Sequence, residues 1–567
     1  VDRAQADSRL ARAWAIPPGR AGVLAGSPDS RRARAWAIPA ALGLAWFLGG
    51  WLRFAALDAV PPGLWFDEAL NARDARDVVR GGGLKLVYPD EFPREPMFVT
   101  LLAGAMRIFG NDVATLRAVS AAIGWATVFA LFFGVRALTD ARTAAIASAS
   151  LAFMRWHLIF SRLLFRTILM PLWIVLIVWA AASLRRAPSV GRAVALGALI
   201  GGGFYTYLSW YFMLPGAALL AIWAFSPEWK SRAGRSRALA FLVAALIVAA
   251  PIGFHYARFP GHLASRPGAV SPFAEGPAAA AREIGKNFIH ALGMFHVAGD
   301  RVSKQNIPRA PALDRLAGAG FALGLIVCVA RARRRDPLST IALGWLALGV
   351  APTIFTKTDS PNFLRTLVAT PAVAIAIAVG VGALWDFIAR RGGRPIHARL
   401  GAALVILLVS ASALISVRDV FGPSGWGNSR ETWEGFNGPE SQLARAALRH
   451  SPDRAVWIPG LMGATRTYQY LTDGAPGAIL YEDFDFFRPR EADDRPRAVI
   501  TTAHNRLLPV LQMLAPGGMV IEELRDPGGR AWAVVFAFEA LPPAEAVDRS
   551  EAAHPVRDRD GRLAIGW

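Results

Sequence analysis

Two adjacent carboxylates, Asp67 and Glu68, close the run Pro61-Pro62-Gly63-Leu64-Trp65-Phe66-Asp67-Glu68, directly beside two large aromatic rings. An acid in such a place can take a proton from an attacking hydroxyl. A third carboxylate, Glu95, follows in Arg94-Glu95-Pro96 and would suit an orienting or metal-binding role. The same residues also satisfy a plainer purpose. Asp67 can cap a helix running to about Arg80, Glu68 can favour its N-terminal dipole, and Pro96 suits a first helical turn. On that plainer reading Arg73, Asp74, Arg76, Asp77 and Arg80 form the solvated face of the helix.

Cations complement these acids. Arg162 and Arg166 lie in Ser161-Arg162-Leu163-Leu164-Phe165-Arg166, and Arg365 ends Ser360-Pro361-Asn362-Phe363-Leu364-Arg365. A guanidinium fork matches phosphate oxygens, so the three arginines, with Lys304, Asn306 and Asn362, are candidate phosphate ligands. Snorkelling to lipid head groups would explain each arginine singly. Tyr205 and Tyr207 fall at an expected helix turn, either as interface anchors or as a wall of a sugar or lipid pocket.

Positioning these groups falls to a strongly apolar chain. It has 567 residues, 54% of them hydrophobic, with a formal charge of +20. Such a composition predicts an α-helical polytopic membrane protein. The Lys and Arg residues punctuate apolar runs instead of forming one basic face, which argues against a nucleic-acid partner. Cys328 is the only cysteine, so neither an intrachain disulfide nor a cysteine metal cluster can form.

About eleven segments approach the ~20 apolar residues that a span requires: 39–57, 115–137, 142–160, 166–184, 193–208, 211–225, 238–256, 312–330, 338–355, 366–388 and 400–417. With these spans, the basic loops Arg185–Arg192, Lys230–Arg237, Arg331–Arg335 and Arg390–Arg399 share one side. The positive-inside rule makes that side cytoplasmic. Pro96 to Gly110, at 15 residues, would invert this pattern if it crossed, so it is expected as a helix on the outer surface.

The domain reading follows from the spans. Residues 1–38, with Ala-Arg-Ala-Trp-Ala-Ile-Pro at 11–17 and again at 33–39, form a basic cytoplasmic tail. Residues 39–417 form the membrane module, with outer loops at 58–114 and 257–311, the second showing little periodicity. Residues 418–567 form a small soluble α/β domain outside, with strands expected at 455–458, 498–501, 519–524 and 532–538. The protein would thus sit in the inner membrane with its N-terminus inside.

Phe66-Asp67-Glu68 after the first span, Arg94-Glu95-Pro96, and Phe160-Ser161-Arg162 with Arg166 and Pro171 together resemble the GT-C membrane glycosyltransferases. The pattern is most similar to glycosyltransferase family 39, which includes the protein O-mannosyltransferases and the lipid A aminoarabinose transferases, and it covers roughly residues 39–390. The resemblance implies a polyprenyl-phosphate sugar donor, Asp67 as catalytic base, and Glu95 as a carboxylate that arranges the site and in some relatives contacts a divalent metal. Two departures stand out. Arg166-Thr167-Ile168-Leu169-Met170-Pro171 lacks the Asp that lipid A enzymes carry before this proline, and no counterpart of the mannosyltransferases' luminal domain is present, so a protein acceptor is not implied.

The function expected is inverting transfer of a sugar from a polyprenyl-phosphate donor to a glycan, lipid or protein acceptor at the outer face of the membrane. Asp67 would be the base, and the arginines or a divalent ion would stabilise the leaving phosphate. A transporter or flippase of lipid-linked saccharides is the rival class, although it would place its ionisable groups near the bilayer midplane. A membrane-anchored envelope protein working through its C-terminal domain is a third. A transferase should keep some activity without residues 418–567.

Overall fold

The architecture was obtained as a computed structural model, which describes residues 28–90, 92–357, 359–392, 395–473, 479–481, 495–503 and 507–539, with two short strands at 556–557 and 563–564. Most of the expected N-terminal tail lies outside the described residues. The chain divides into two compact units, 1–45 and 46–567. In the first, the described residues belong to the helix Pro28–Phe54, which begins ahead of the expected span and continues into the second unit.

The second unit is mainly helical. Among the described residues seven helices are long and apolar enough to cross a membrane: Val113–Arg136, Arg166–Arg186, Arg232–Arg258, Arg315–Ala332, Pro337–Ile354, Phe363–Arg390 and Arg399–Asn428. Ala40–Phe54, Val190–Tyr205 and Trp210–Phe225 are shorter apolar helices. The expected span 142–160 is interrupted. Met154 takes an extended conformation (ψ 114°) and separates Ala141–Phe153 from Arg155–Phe160. Both pieces fall well short of the ~20 residues of a simple span. The break lets Arg155 pair with Asp419 and donate to the Pro311 carbonyl.

Glycines set the tight turn between the two shorter helices. A Cβ on Gly202 would meet the Trp173 ring at 2.7 Å, and one on Gly203 would meet the Trp210 ring at 2.3 Å. The turn therefore packs against two tryptophan rings at a distance that only glycine allows.

The surface segment forms the helix Met97–Phe109, whose 13 residues are too few to span by length. The loop 257–311 is more regular than its sequence suggests, with helices Pro260–Val270 and Pro277–Gly293.

A five-stranded sheet follows the last long helix, in the order β2-β1-β3-β5-β4, with β1 Ala455–Pro459, β2 Ile479–Tyr481, β3 Arg497–Thr502, β4 Met519–Arg525 and β5 Ala531–Phe538. Strand β1 pairs in parallel with β2 and β3, while β5 runs antiparallel to β3 and β4. Alternation sorts the side chains into two cores. Val456, Ile458 and Ile500 pack with Leu443 and Ala447 of the helix Gly438–His450, whereas Trp457, Val499 and Phe536 pack with Leu511.

Candidate active site

The loop 58–114 starts just after the helix Pro28–Phe54 ends, and a helix end leaves carbonyls without partners. Arg162 supplies them. It is fully buried, and its guanidinium donates to the carbonyls of Leu52 (2.6 Å), Ala55 (2.6 Å) and Val60 (2.7 Å), with further bonds to Arg53 and Ala56. Arg162 is thus a cap for the first helix and cannot also face a phosphate in a cleft.

Glu68 is likewise part of the framework. Its carboxylate is fully buried and accepts from Arg117 (2.8 Å), from the Leu164 amide (2.8 Å) and from the Trp65 amide (3.0 Å). Arg117 also donates to the carbonyls of Leu57, Pro61 and Gly63, so one ion pair fixes the whole turn before Asp67. A base role for Glu68 is corrected on this geometry, because its oxygens are occupied and no substrate can reach them.

Asp67 sits one residue away in the first turn of the helix Phe66–Asp77, partly exposed. Among the described residues it makes no hydrogen bond or close ion pair. Its side chain opens into a cleft with Glu95, Arg166, Tyr207, Tyr256, His262 and Arg466, enclosing about 840 Å³ including the open mouth. One loop and four later segments therefore converge on one place.

Arg166 lines the cleft and is held from one side. Its Nε donates to the Glu95 carboxylate at 2.7 Å, and its guanidinium lies 5.3 Å from the Phe165 ring and 5.2 Å from the Tyr207 ring. That leaves the far edge of the fork, with its two terminal nitrogens, directed by a clamp of one acid and two rings. Glu95 acts here as the group that positions Arg166. Among the described residues no three His, Cys, Asp or Glu side chains come together as metal ligands would, and Glu95 is already engaged by Arg166, so the donor set does not fit a divalent ion.

Lys304 approaches from the second outer loop. Its ammonium lies 4.3 Å from the Trp65 ring, which itself stacks on Phe165. Burial lowers the Lys304 pKa, an effect opposed by the negative charges of Asp67 and Asp359. This half-buried cation is not among the residues that line the cleft, but it interacts electrostatically with Asp67.

The other expected ligands do structural work elsewhere. Asn362 caps the short helix Phe363–Thr366 by accepting from the Arg365 amide, and Asn306 donates to the carbonyls of Asp300 and Ala310. Arg365 donates to Thr356 Oγ1 at 2.6 Å and does not line the cleft. Tyr205 donates its hydroxyl to the Val248 carbonyl, also away from the cleft, whereas Tyr207 lines it. The polar face assigned to solvent is also revised. Asp74 and Arg76 are buried, Arg94 joins Asp74, Asp90 and Asn71, and burial raises the Asp74 pKa against the pull of Arg94.

The sheet region contributes more than sequence suggested. Leu64 donates its amide to Ser441 Oγ (3.0 Å) and accepts from Thr467 Oγ1 (2.9 Å) through its carbonyl. Gly63, at φ +119°, leaves only 2.5 Å between an added Cβ and the Phe436 carbonyl. Arg76 and Arg80 both pair with Asp473 (3.1 and 2.6 Å), and Arg466 places its guanidinium 4.4 Å over the Phe66 ring. The C-terminal region thus grips both ends of the element that carries Asp67.

Residues 93–255 match the profile of the dolichyl-phosphate-mannose-protein mannosyltransferase family. The similarity to that family is carried by this segment, which is less than a third of the chain. The matched segment contains the Glu95–Arg166 pair, while Asp67, Lys304 and Arg466 lie outside it. Among solved structures, apo ArnT from Cupriavidus metallidurans is 14% identical, with a TM-score of 0.47 over 90% of this chain and 98% of that one. AglB from Archaeoglobus fulgidus, an archaeal oligosaccharyltransferase in complex with an inhibitory peptide and a dolichol-phosphate, is 13% identical, with a TM-score of 0.45 over 77% of this chain and 64% of that one. The S. cerevisiae protein O-mannosyltransferase Pmt1–Pmt2 complex bound to the sugar donor is 19% identical, with a TM-score of 0.33 over 40% and 34%. No curated protein matches the chain.

Proposed function

We propose that this GT-C relative transfers a sugar from a polyprenyl-phosphate carrier to an acceptor hydroxyl, with Asp67 as the general base. The observation that carries the reading is the contrast between two neighbours. Glu68 has every oxygen engaged, whereas Asp67 is unpaired among the described residues and opens onto the cleft that also holds Arg166.

In the proposed step the acceptor oxygen attacks the anomeric carbon and gives its proton to the Asp67 carboxylate. The bond from that carbon to the phosphate oxygen breaks, and the phosphate leaves with the electron pair. Attack and departure on opposite faces invert the anomeric centre. Negative charge grows on the leaving phosphate, where Arg166, aimed by Glu95, and Lys304 would stabilise it most as the bond breaks. No step needs a metal.

The outer face is the favoured location because the four basic loops connect the helices at the ends opposite to those bearing Asp67, Arg166, Tyr207 and Tyr256. The test is an assay of the purified full chain with a panel of polyprenyl-phosphate monosaccharides. Transfer or hydrolysis by the wild type, with an inverted product and about 10²–10⁴-fold loss in Asp67→Asn, is expected. Equal turnover by the variant would remove Asp67 from the mechanism, and inactivity of the wild type on every donor would overturn the donor class.

A further inference from the structure

A second cavity opens near Arg335 and Trp223, at the other end of the helices from the cleft, and runs back along them as far as Met213. The helices Leu169–Arg186, Trp210–Phe225 and Pro337–Ile354 leave between them a slot of about 1250 Å³ including its open side. Its walls are almost entirely apolar, with Ile177, Met213, Trp223 and Trp345 among them, and one charged side chain, Arg335, lies at its mouth. A run of three further arginines, Arg331, Arg333 and Arg334, precedes Arg335 in the same turn, and all four are exposed.

The wall next to this mouth is built firmly. Arg185 donates to the Trp223 carbonyl at 2.6 Å and to Ser226 Oγ at 2.7 Å, with its guanidinium 4.7 Å over the Trp223 ring. Asp336, the acid beside Arg335, is committed to capping the following helix through the Ser339 amide at 2.9 Å. Among the described residues Arg335 itself has no side-chain partner, and its backbone, at φ +63°, holds the turn between two helices. A free guanidinium therefore stands at the entrance to an apolar recess.

Length identifies the occupant. From Met213 to Trp223, and from Leu348 to Pro337, the walls rise about 15 Å at 1.5 Å per helical residue. That is about half of a hydrocarbon core of ~30 Å, so the slot is one leaflet deep. A polyprenyl carrier whose phosphate sits in the cleft would approach from the opposite leaflet. A membrane phospholipid of the near leaflet would place its tail along the apolar walls and its phosphate at Arg335.

We propose that this slot binds an anionic diacyl phospholipid from the leaflet opposite the cleft, with Arg335 reading the head-group phosphate. The site is independent of the glycosyl-transfer reading and would stand if that reading fell.

The test is lipid binding by the delipidated full chain in detergent, followed by native mass spectrometry and thermal unfolding. The probes are phosphatidylglycerol, phosphatidylcholine, undecaprenyl phosphate and inorganic phosphate. The wild type should retain phosphatidylglycerol more tightly than phosphatidylcholine. Arg335→Ala should weaken phosphatidylglycerol about tenfold, as loss of a charge-assisted contact would, and leave phosphatidylcholine nearly unchanged. Gly344→Leu, at a wall position where an added Cβ meets nothing within 4 Å, should weaken both by filling the slot without disturbing the fold. Equal binding of the two phospholipids, no effect of either substitution in a normally folded protein, or preference for undecaprenyl phosphate or for inorganic phosphate alone would overturn the proposal.

Discussion

The framework beneath the loop 58–114 and the cleft beside it use the same residue types for opposite ends. Below, Arg117 and Arg162 are fully buried and spend their donors on backbone carbonyls and Glu68. In the cleft, Arg166 is held from one side only, and Asp67 has no close partner among the described residues. What separates these scaffold arginines from Arg166 is how many of their donors the fold has already used. A buried charge must find partners inside the protein, whereas a group at a cleft wall can keep a free edge for substrate.

The sharpest way to break this comparison is to remove the outer part of the framework. Deleting residues 418–567 takes away Ser441, Thr467 and Asp473, which hold Leu64, Arg76 and Arg80, and Arg466, which lines the cleft. No detectable turnover is expected in a transfer assay, in contrast to the partial activity that sequence alone suggested. Retained activity would mean that the loop keeps its form unaided.

Next in size is the core ion pair. Glu68→Ala strands Arg117 without its counter-charge in the interior and should cost about 3–5 kcal/mol, read as a large fall in the unfolding midpoint and in yield. Arg166→Ala should lower turnover about 10²–10³-fold while lowering the midpoint less than Glu68→Ala, because the Glu95 that it leaves unpaired stands at the wall of an open cleft.

A smaller effect concerns Asp300, a fully buried carboxyl in the loop that carries Lys304. Burial pushes its pKa up to about 6, although the Phe363 and Val302 amides both donate to it and pull the other way. The raised value means that the folded state holds the proton more tightly than the unfolded state. Stability from this group is full below the ordinary carboxylate range, near pH 4, and is lost as pH rises through about 6. Unfolding midpoints measured from pH 4 to pH 7 should therefore fall more steeply in the wild type than in Asp300→Asn.

Sequence was most informative where a local pattern determines the outcome. Apolar run lengths located the long helices, and alternation located β1, β3, β4 and β5 to within about a residue or two of the strands described. Asp67, Glu95 and Arg166 could be grouped from sequence because all three lie near helix starts, and they line one cleft. Glu68, Arg162, Asn306 and Asn362 were misassigned for a single reason. A donor or acceptor suited to phosphate or hydroxyl also suits the backbone, and only tertiary structure decides which one it meets.

Two signals were available but unused. Arg117 is a lone charge in the first turn of an apolar helix, which calls for an acidic partner, and Asn71 and Asp74 share a helix face that Arg94 covers. Arg466 offered no such signal, because its place in the cleft depends on a fold-back from a region nearly 400 residues away.

The account turns on the difference between two adjacent carboxylates, so its most direct test measures both in the same way. Single-turnover transfer and thermal unfolding would be recorded for wild type, Asp67→Asn and Glu68→Gln. Asp67→Asn should unfold like wild type while its transfer step slows at least about 10²-fold, and Glu68→Gln should unfold far earlier. A normal transfer rate in Asp67→Asn, or a wild-type unfolding midpoint in Glu68→Gln, would contradict the division between catalytic and framework acid.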